Sequence, residues 1–318
     1  MKKIFLLITL CCATAAASYA QDMMSINPDA RTSAMGDVSA AVTADAWSVY
    51  GNAASPLFGL HTAQVQVSYT PWQRSVESGY NLFSLGGYVL LGKRHALSVG
   101  GKMYYQPALD KSNAPFNPKD ENNQPLEVKV TRPNDKAVDL AYAYRISDKV
   151  GLALNVGYLH TSNGLVDGTG NAVSLGLALY SSLPLNSITD GSKLNIGATV
   201  SNFGIPFGDT KLALPMTAKA GASLYVPVTD AHSIEGTVDL GYLYQTADVN
   251  HFMANVGLEY SLMQLIKMRV GYMYSNYGCF TAGLGLRFVH VQLDASYWVA
   301  SANCPWRNTF RVGLGVEF

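Results

Sequence analysis

Six histidines, His61, His95, His160, His232, His251 and His290, are spread along the chain without a spacing that would gather ligands around one zinc ion, so no metal site is expected. No G-x-S-x-G, Walker-type or G-x-G-x-x-G element occurs, so the usual signatures of serine hydrolases, phosphate cradles and dinucleotide cofactors are missing. One local pair has the residue types of nucleophilic catalysis. His160 and Ser162 flank Thr161 and share a face of an extended strand, where an imidazole can take a serine proton. Polar residues at a lipid headgroup interface account for the same run without chemistry. The chain is expected to be neither an enzyme nor a cofactor carrier.

The charged residues carry a stronger pattern. Lys102, Asp139, Arg145, Lys219, Glu235, Asp239, Glu259, Lys267, Arg269, Arg287, Asp294, Arg311 and Glu317 each fall opposite the apolar stripe of their own extended segment. A charge on a lipid-facing position at mid-membrane costs about 2 to 4 kcal/mol, which explains a one-sided distribution. Arg145, Arg269, Arg287 and Arg311 with Asp139, Asp239 and Glu259 would then line a lumen, as a ring selecting a solute or as paired charges filling a plugged interior. Cys279 and Cys304 fall at one rim, close enough in topology for a disulfide, with two free buried thiols as the alternative.

The elements that must position these groups are strands. From His61 onward about fourteen alternating segments occur, near 62–70, 80–91, 95–106, 136–146, 150–161, 172–183, 193–203, 215–227, 232–245, 251–262, 267–275, 279–288, 290–300 and 308–318. Short turns such as Gly92-Lys93-Arg94 and Ser147-Asp148-Lys149 alternate with longer connections, above all the Pro-rich stretch 107–135. In the last segment Arg311, Gly313, Gly315 and Glu317 would face the lumen, and Val312, Leu314, Val316 and Phe318 the lipid, with Phe318 as a terminal aromatic that assists assembly. Tyr69, Tyr80, Tyr104, Tyr158, Tyr242, Tyr244, Tyr272, Tyr274 and Tyr297 are assigned to one aromatic girdle, and Tyr142, Tyr144, Tyr225, Tyr260, Phe288 and Phe318 to the other. The fold class is an all-β transmembrane antiparallel barrel of about fourteen strands with a small N-terminal plug.

Composition agrees: 14% of residues are charged and 11% aromatic, and no later apolar run reaches the 18 or so residues of a membrane helix. Lys2 and Lys3, the apolar run 4–17 and Ser18-Tyr19-Ala20 read as a secretory signal over 1–20. Its removal leaves 20 basic against 22 acidic side chains, with nothing to attract a nucleic acid. Residues 61–318 form the expected barrel. Residues 21–60 are the expected plug, in which Ala34, Val38, Ala41 and Val42 recur near helical spacing while Asp29, Arg31 and Asp45 offer charges to the lumen. Met23, Met24, Met35 and Trp47 would pack there or line an apolar path. A loose periplasmic tail is the alternative for this segment.

Ile26-Asn27-Pro28-Asp29-Ala30-Arg31, then Ala34-Met35-Gly36-Asp37, then Asp45-Ala46-Trp47-Ser48-Val49-Tyr50-Gly51-Asn52-Ala53 resemble the opening of the PorV/PorQ family, outer-membrane proteins related to FadL-type fatty-acid channels. Val200-Ser201-Asn202-Phe203-Gly204 and Leu214-Pro215 are similar to later stretches of that family. The resemblance implies a fourteen-stranded barrel with an N-terminal hatch that includes Gly36 and Asn52. It also implies type IX secretion, with secretion-system proteins and cargo signal domains as partners beside outer-membrane lipid. Asn52-Ala53-Ala54 stands where the family has Asn-Pro-Ala, which leaves room for a paralogue with another task. The competing expectation is a FadL-like channel for hydrophobic small molecules. Residues 107–135, 71–79 and 204–214 are the outer loops expected to carry function.

Overall fold

The structure is a computed structural model that describes residues 22–75, 79–107, 132–162, 169–208, 212–247, 249–300 and 304–318. The expected signal, and most of the long loop 107–135, lie outside the described residues.

Fourteen antiparallel strands close into a single barrel. They are β1 (Ala63–Pro71), β2 (Asn81–Leu91), β3 (His95–Tyr105), β4 (Asn134–Ser147), β5 (Val150–Ser162), β6 (Thr169–Pro184), β7 (Lys193–Phe207), β8 (Met216–Thr229), β9 (His232–Tyr244), β10 (Asn250–Leu262), β11 (Ile266–Ser275), β12 (Tyr277–Phe288), β13 (Val291–Ala300) and β14 (Phe310–Glu317). Closure removes the sheet edges that hydrocarbon would leave without hydrogen-bond partners. The seam joins β14 to β1, from Gln64↔Glu317 to Tyr69↔Val312. Phe318 extends it. Its N–H donates to Ala63 O at 2.9 Å, and its own carbonyl accepts from Thr62 N at 2.7 Å. The Phe318 ring is exposed and stacks on His290 at 5.8 Å.

Side chains alternate between a buried inner face and an exposed outer face because successive residues of a strand point to opposite sides. In β14 Arg311, Gly313, Gly315 and Glu317 are buried, whereas Val312, Leu314 and Val316 are exposed, as the sequence pattern requires. All thirteen charged residues read as lumenal lie on the inner face. Lys136 breaks the pattern from the other side. It sits on the exposed face near the outer end of β4.

Two short helices, α1 (Asp22–Ser25) and α2 (Ala30–Ala34), and a 3-10 turn at Ser55–Phe58 lie inside the barrel, joined by turns. The helical spacing of Ala34, Val38, Ala41 and Val42 therefore does not produce a helix beyond Ala34. Those backbone groups bond to the wall instead, as set out below. Three aromatic assignments also change. Tyr225, opposite Glu235 in the β8–β9 ladder, lies on the inner face and lines the lumen. Tyr104 points inward and is almost fully buried, with Tyr80 stacked on it at 6.1 Å, because both cover an apolar cluster of Trp72, Leu82, Leu159 and Trp298 inside the barrel. The residues 204–207 expected in a loop belong to β7.

Candidate functional site: a plug clamped to the barrel wall

Asp29 opens α2 as its N-cap. Its carboxylate accepts from Arg31 N at 2.8 Å and Thr32 N at 2.9 Å, satisfying donors that a helix start leaves free. That cap aims Arg31 at the wall. The Arg31 guanidinium donates to Glu235 on β9 at 2.7 Å and to Glu259 on β10 at 3.0 Å. It also meets Asp45 at 3.4 Å and the Thr43 carbonyl at 2.9 Å. Glu259 in turn accepts from Arg269 at 2.7 Å, and Arg269 donates to Asp294 at 2.6 Å.

Burial opposes the charge on Arg31, but Glu259, Glu235 and Asp45 together hold its pKa well above the ordinary value. The two plug carboxylates go the other way. Burial raises Asp29 against the hydrogen bonds from Thr32. For Asp45, burial and the neighbouring Asp29 outweigh Arg31, and the carboxyl is pushed up to about 8. Asp29 and Asp45 thus serve the plug's own fold, and of the three plug charges expected to meet the lumen it is Arg31 that ties to lumenal charges. Asp45 also accepts from Trp47 N at 2.9 Å.

Other wall groups hold the plug backbone. Asp239 accepts from the N–H of Ser39 and of Ala40, the latter at 2.9 Å, and Glu235 accepts from Thr43 N at 2.9 Å. Lys102 donates to the carbonyls of Ile26 at 2.8 Å and Met23 at 3.3 Å, and its ammonium lies 4.3 Å from the Tyr50 ring centre. Arg311 donates to Asn27 O at 2.8 Å and Ser33 Oγ at 2.7 Å while stacking over Trp298 at 4.1 Å. Asn52 bridges plug and wall, donating to Ala40 O at 2.7 Å and Leu179 O at 2.8 Å. Gly36 has φ +75, and a Cβ there would come within 2.5 Å of Val256 O and 2.6 Å of Tyr272 O, so the seat admits glycine alone.

The proposed ring of charges is distributed rather than continuous. Arg269 and Glu259 belong to the Arg31 network, Arg287 pairs with Glu317, Arg145 covers Phe58 at 4.5 Å, and Asp139 lines a cavity with Lys102. Met23 joins the inner apolar cluster, while Met35 packs its backbone against Gly257 and Gly271. His160 and Ser162 remain on the outer face, and the His160 ring nitrogen Nδ1 bonds Asn171 Oδ1 at 3.0 Å. Cys279 and Cys304 are free and buried. Asp239 and Lys102 as clamps were not singled out by the sequence, where lumen-facing parity was the available signal; Asn52 was named there through the family resemblance.

Two cavities meet the plug. One of about 140 Å³ lies toward the outer half among Lys102, Asp139, Asn155 and Thr199, and one of about 370 Å³ lies at the periplasmic end among His61, Lys193, Tyr225 and Lys267. Both touch Asp45.

A closed fourteen-strand barrel, apolar outside and charged inside, with its lumen filled by an N-terminal segment, defines an outer-membrane barrel protein with a plug. The family model described as type IX secretion system protein PorV matches residues 13–186, and the chain belongs to that family. No curated protein sequence matches it. Among solved structures it is similar to the toluene transporter TodX of Pseudomonas putida, at 12% identity over 90% of this chain and 97% of that one, with a TM-score of 0.58. It is also similar to the toluene transporter TbuX of Ralstonia pickettii, at 12% identity over 93% and 98%, with a TM-score of 0.52. At that identity the likeness is one of fold.

Proposed function

We propose that the protein is a PorV-like shuttle of type IX secretion, which binds secreted cargo by its signal domain on the outer loops and presents it to the surface attachment machinery. The observation that supports this most is the Arg31 clamp within a PorV-family barrel. A lumen closed by buried ion pairs offers a solute little route and leaves the extracellular surface as the working face. Affinity purification from native outer membranes tests the reading. Recovery of secretion components or their cargo is expected, and their absence at full barrel yield overturns it.

One observation favours a second reading, a channel for hydrophobic small molecules like the toluene transporters that share the fold. Among the described residues the β7–β8 ladder ends at Ser201↔Thr217, while β7 continues to Phe207 paired only with β6. Leu214 crosses that notch against Gly204, and Ile205 beside it is 73% exposed. The outer cavity reaches Ser201, Asn202 and Thr217 at its foot. If this is a side exit, Leu214→Ala speeds toluene entry into protein-bearing liposomes; equal rates with protein-free liposomes exclude it.

A further inference from the structure

We propose that the outer rim from β14 to β5 binds the phosphorylated headgroup of an outer-leaflet lipid through Arg74, Arg132 and Lys136. The inference rests on the outer-membrane placement and is independent of the secretion reading. Lys136 is the one Asp, Glu, Lys or Arg on the outward face of any described strand residue. Register sets it opposite Met103 on β3 and His160 on β5, in the first residues of β4 after the extracellular connection. A lysine on the lipid side is tolerated where its ammonium can reach the headgroup layer.

Two guanidiniums stand on the same rim. Arg132, four residues before Lys136, lies 5.5 Å over the Tyr105 ring and is fixed by donating to Gln106 O at 2.6 Å and Gly79 O at 2.9 Å. Tyr105 is two residues beyond Met103, the partner of Lys136, so the two cations crown one short stretch of wall. Arg74 lies 5.6 Å over Phe310. Between them lie further outward rings: Tyr69 and Phe83 are 5.0 Å apart, Phe83 and Tyr105 6.3 Å. None of the three cations enters an ion pair among the described residues. The acid nearest in sequence, Asp135, points inward and is buried.

Two guanidiniums held over aromatic rings and a lysine beside them, with no carboxylate paired to any of the three among the described residues, have the charge complement of a phosphate. Below them the outward wall is apolar, with Leu85 and Val99 exposed for acyl chains. The surface therefore continues the lipid-facing belt upward into a headgroup site, which selects a phosphorylated lipid over an acidic protein segment.

The test uses the full barrel in nanodiscs of neutral lipid doped with diphosphorylated lipid A or with its dephosphorylated form, and native mass spectrometry reads the retained lipid. The wild-type protein is expected to retain the diphosphorylated form. Arg74→Gln, Arg132→Gln and Lys136→Gln together are expected to weaken retention by about a hundredfold, roughly fivefold per cation. Heat-modifiable migration of this variant checks that it folds, and Lys93→Gln with Arg94→Gln on the periplasmic turn should change nothing. Equal retention of the dephosphorylated lipid, an unaltered triple variant, or complete displacement by millimolar inorganic phosphate each overturns the proposal. So does capture of an acidic peptide in place of the lipid.

Discussion

Arg31 Nη2 donates to Glu235 Oε2 across 2.7 Å, joining the plug to a strand 204 residues further along the chain. Removing one partner of a buried ion pair typically costs about 3 to 5 kcal/mol, because the remaining charge stays buried and uncompensated. In Arg31→Ala both Glu235 and Glu259 lose a cation. The plug should then leave its seat, and single-channel conductance in planar bilayers should rise severalfold. Conductance equal to wild type would mean that the backbone clamps from Asp239 and Lys102 hold the plug unaided.

Asp45 makes the seat sensitive to pH. Its folded pKa of about 8 lies above the ordinary value of 3.8, so the folded plug holds a proton that a released segment gives up. The stabilisation is full below about pH 4 and is lost as pH rises through about 8. Plug opening, read as the frequency of conductance bursts, is expected to increase between pH 5 and roughly 9 in wild type. In Asp45→Asn this group no longer titrates and the slope should shrink; an unchanged slope would assign it to another group, such as Asp29, which burial also raises.

Strand number, parity and the inward direction of thirteen charges were legible because lipid imposes period two on every strand and penalises each exception. Lys136 escaped that logic, lying so close to the interface that the penalty fades. The plug's interior was not legible. Ala34, Val38, Ala41 and Val42 have helical spacing, yet the backbone around them bonds to Thr281, Asp239 and Tyr180, partners that exist only once the barrel has closed. Tyr104 was misassigned for a similar reason. A tyrosine at a strand end suits a girdle or a lumen equally, and only the neighbouring Trp72 and Trp298 decide. Asn52 entered through family likeness, and the two hydrogen bonds its amide donates to the carbonyls of Ala40 and Leu179 supply the physical reason.

Gly36→Ala should lower the temperature at which the heat-modifiable band converts. The added methyl meets two wall carbonyls and the residue must hold φ +75, so α2 cannot sit at its present depth. Gly92→Ala provides the comparison, since it shares a positive φ in the periplasmic β2–β3 turn but has open space around its Cβ. A larger loss in Gly92→Ala would show that backbone strain, and not plug seating, governs stability.

Cys279 pairs with Ala300 across β12 and β13, and Cys304 follows four residues later, so both thiols lie at the outer mouth. Facing an oxidising compartment, they are expected to close a disulfide in protein isolated from native membranes. Mass spectrometry of non-reduced peptides should find the 279–304 link. Two cysteines alkylated separately without reduction would establish that burial keeps them as thiols.

The central claim, that the outer loops and not the lumen carry function, is tested most directly by shortening residues 107–135 and quantifying cargo recovered with the barrel from native outer membranes. The account predicts a folded, heat-modifiable barrel whose yield of secreted cargo falls at least about tenfold, the loss expected when the centre of an interface is removed. Undiminished cargo recovery, together with lost entry of a hydrophobic solute, would contradict it and establish the channel.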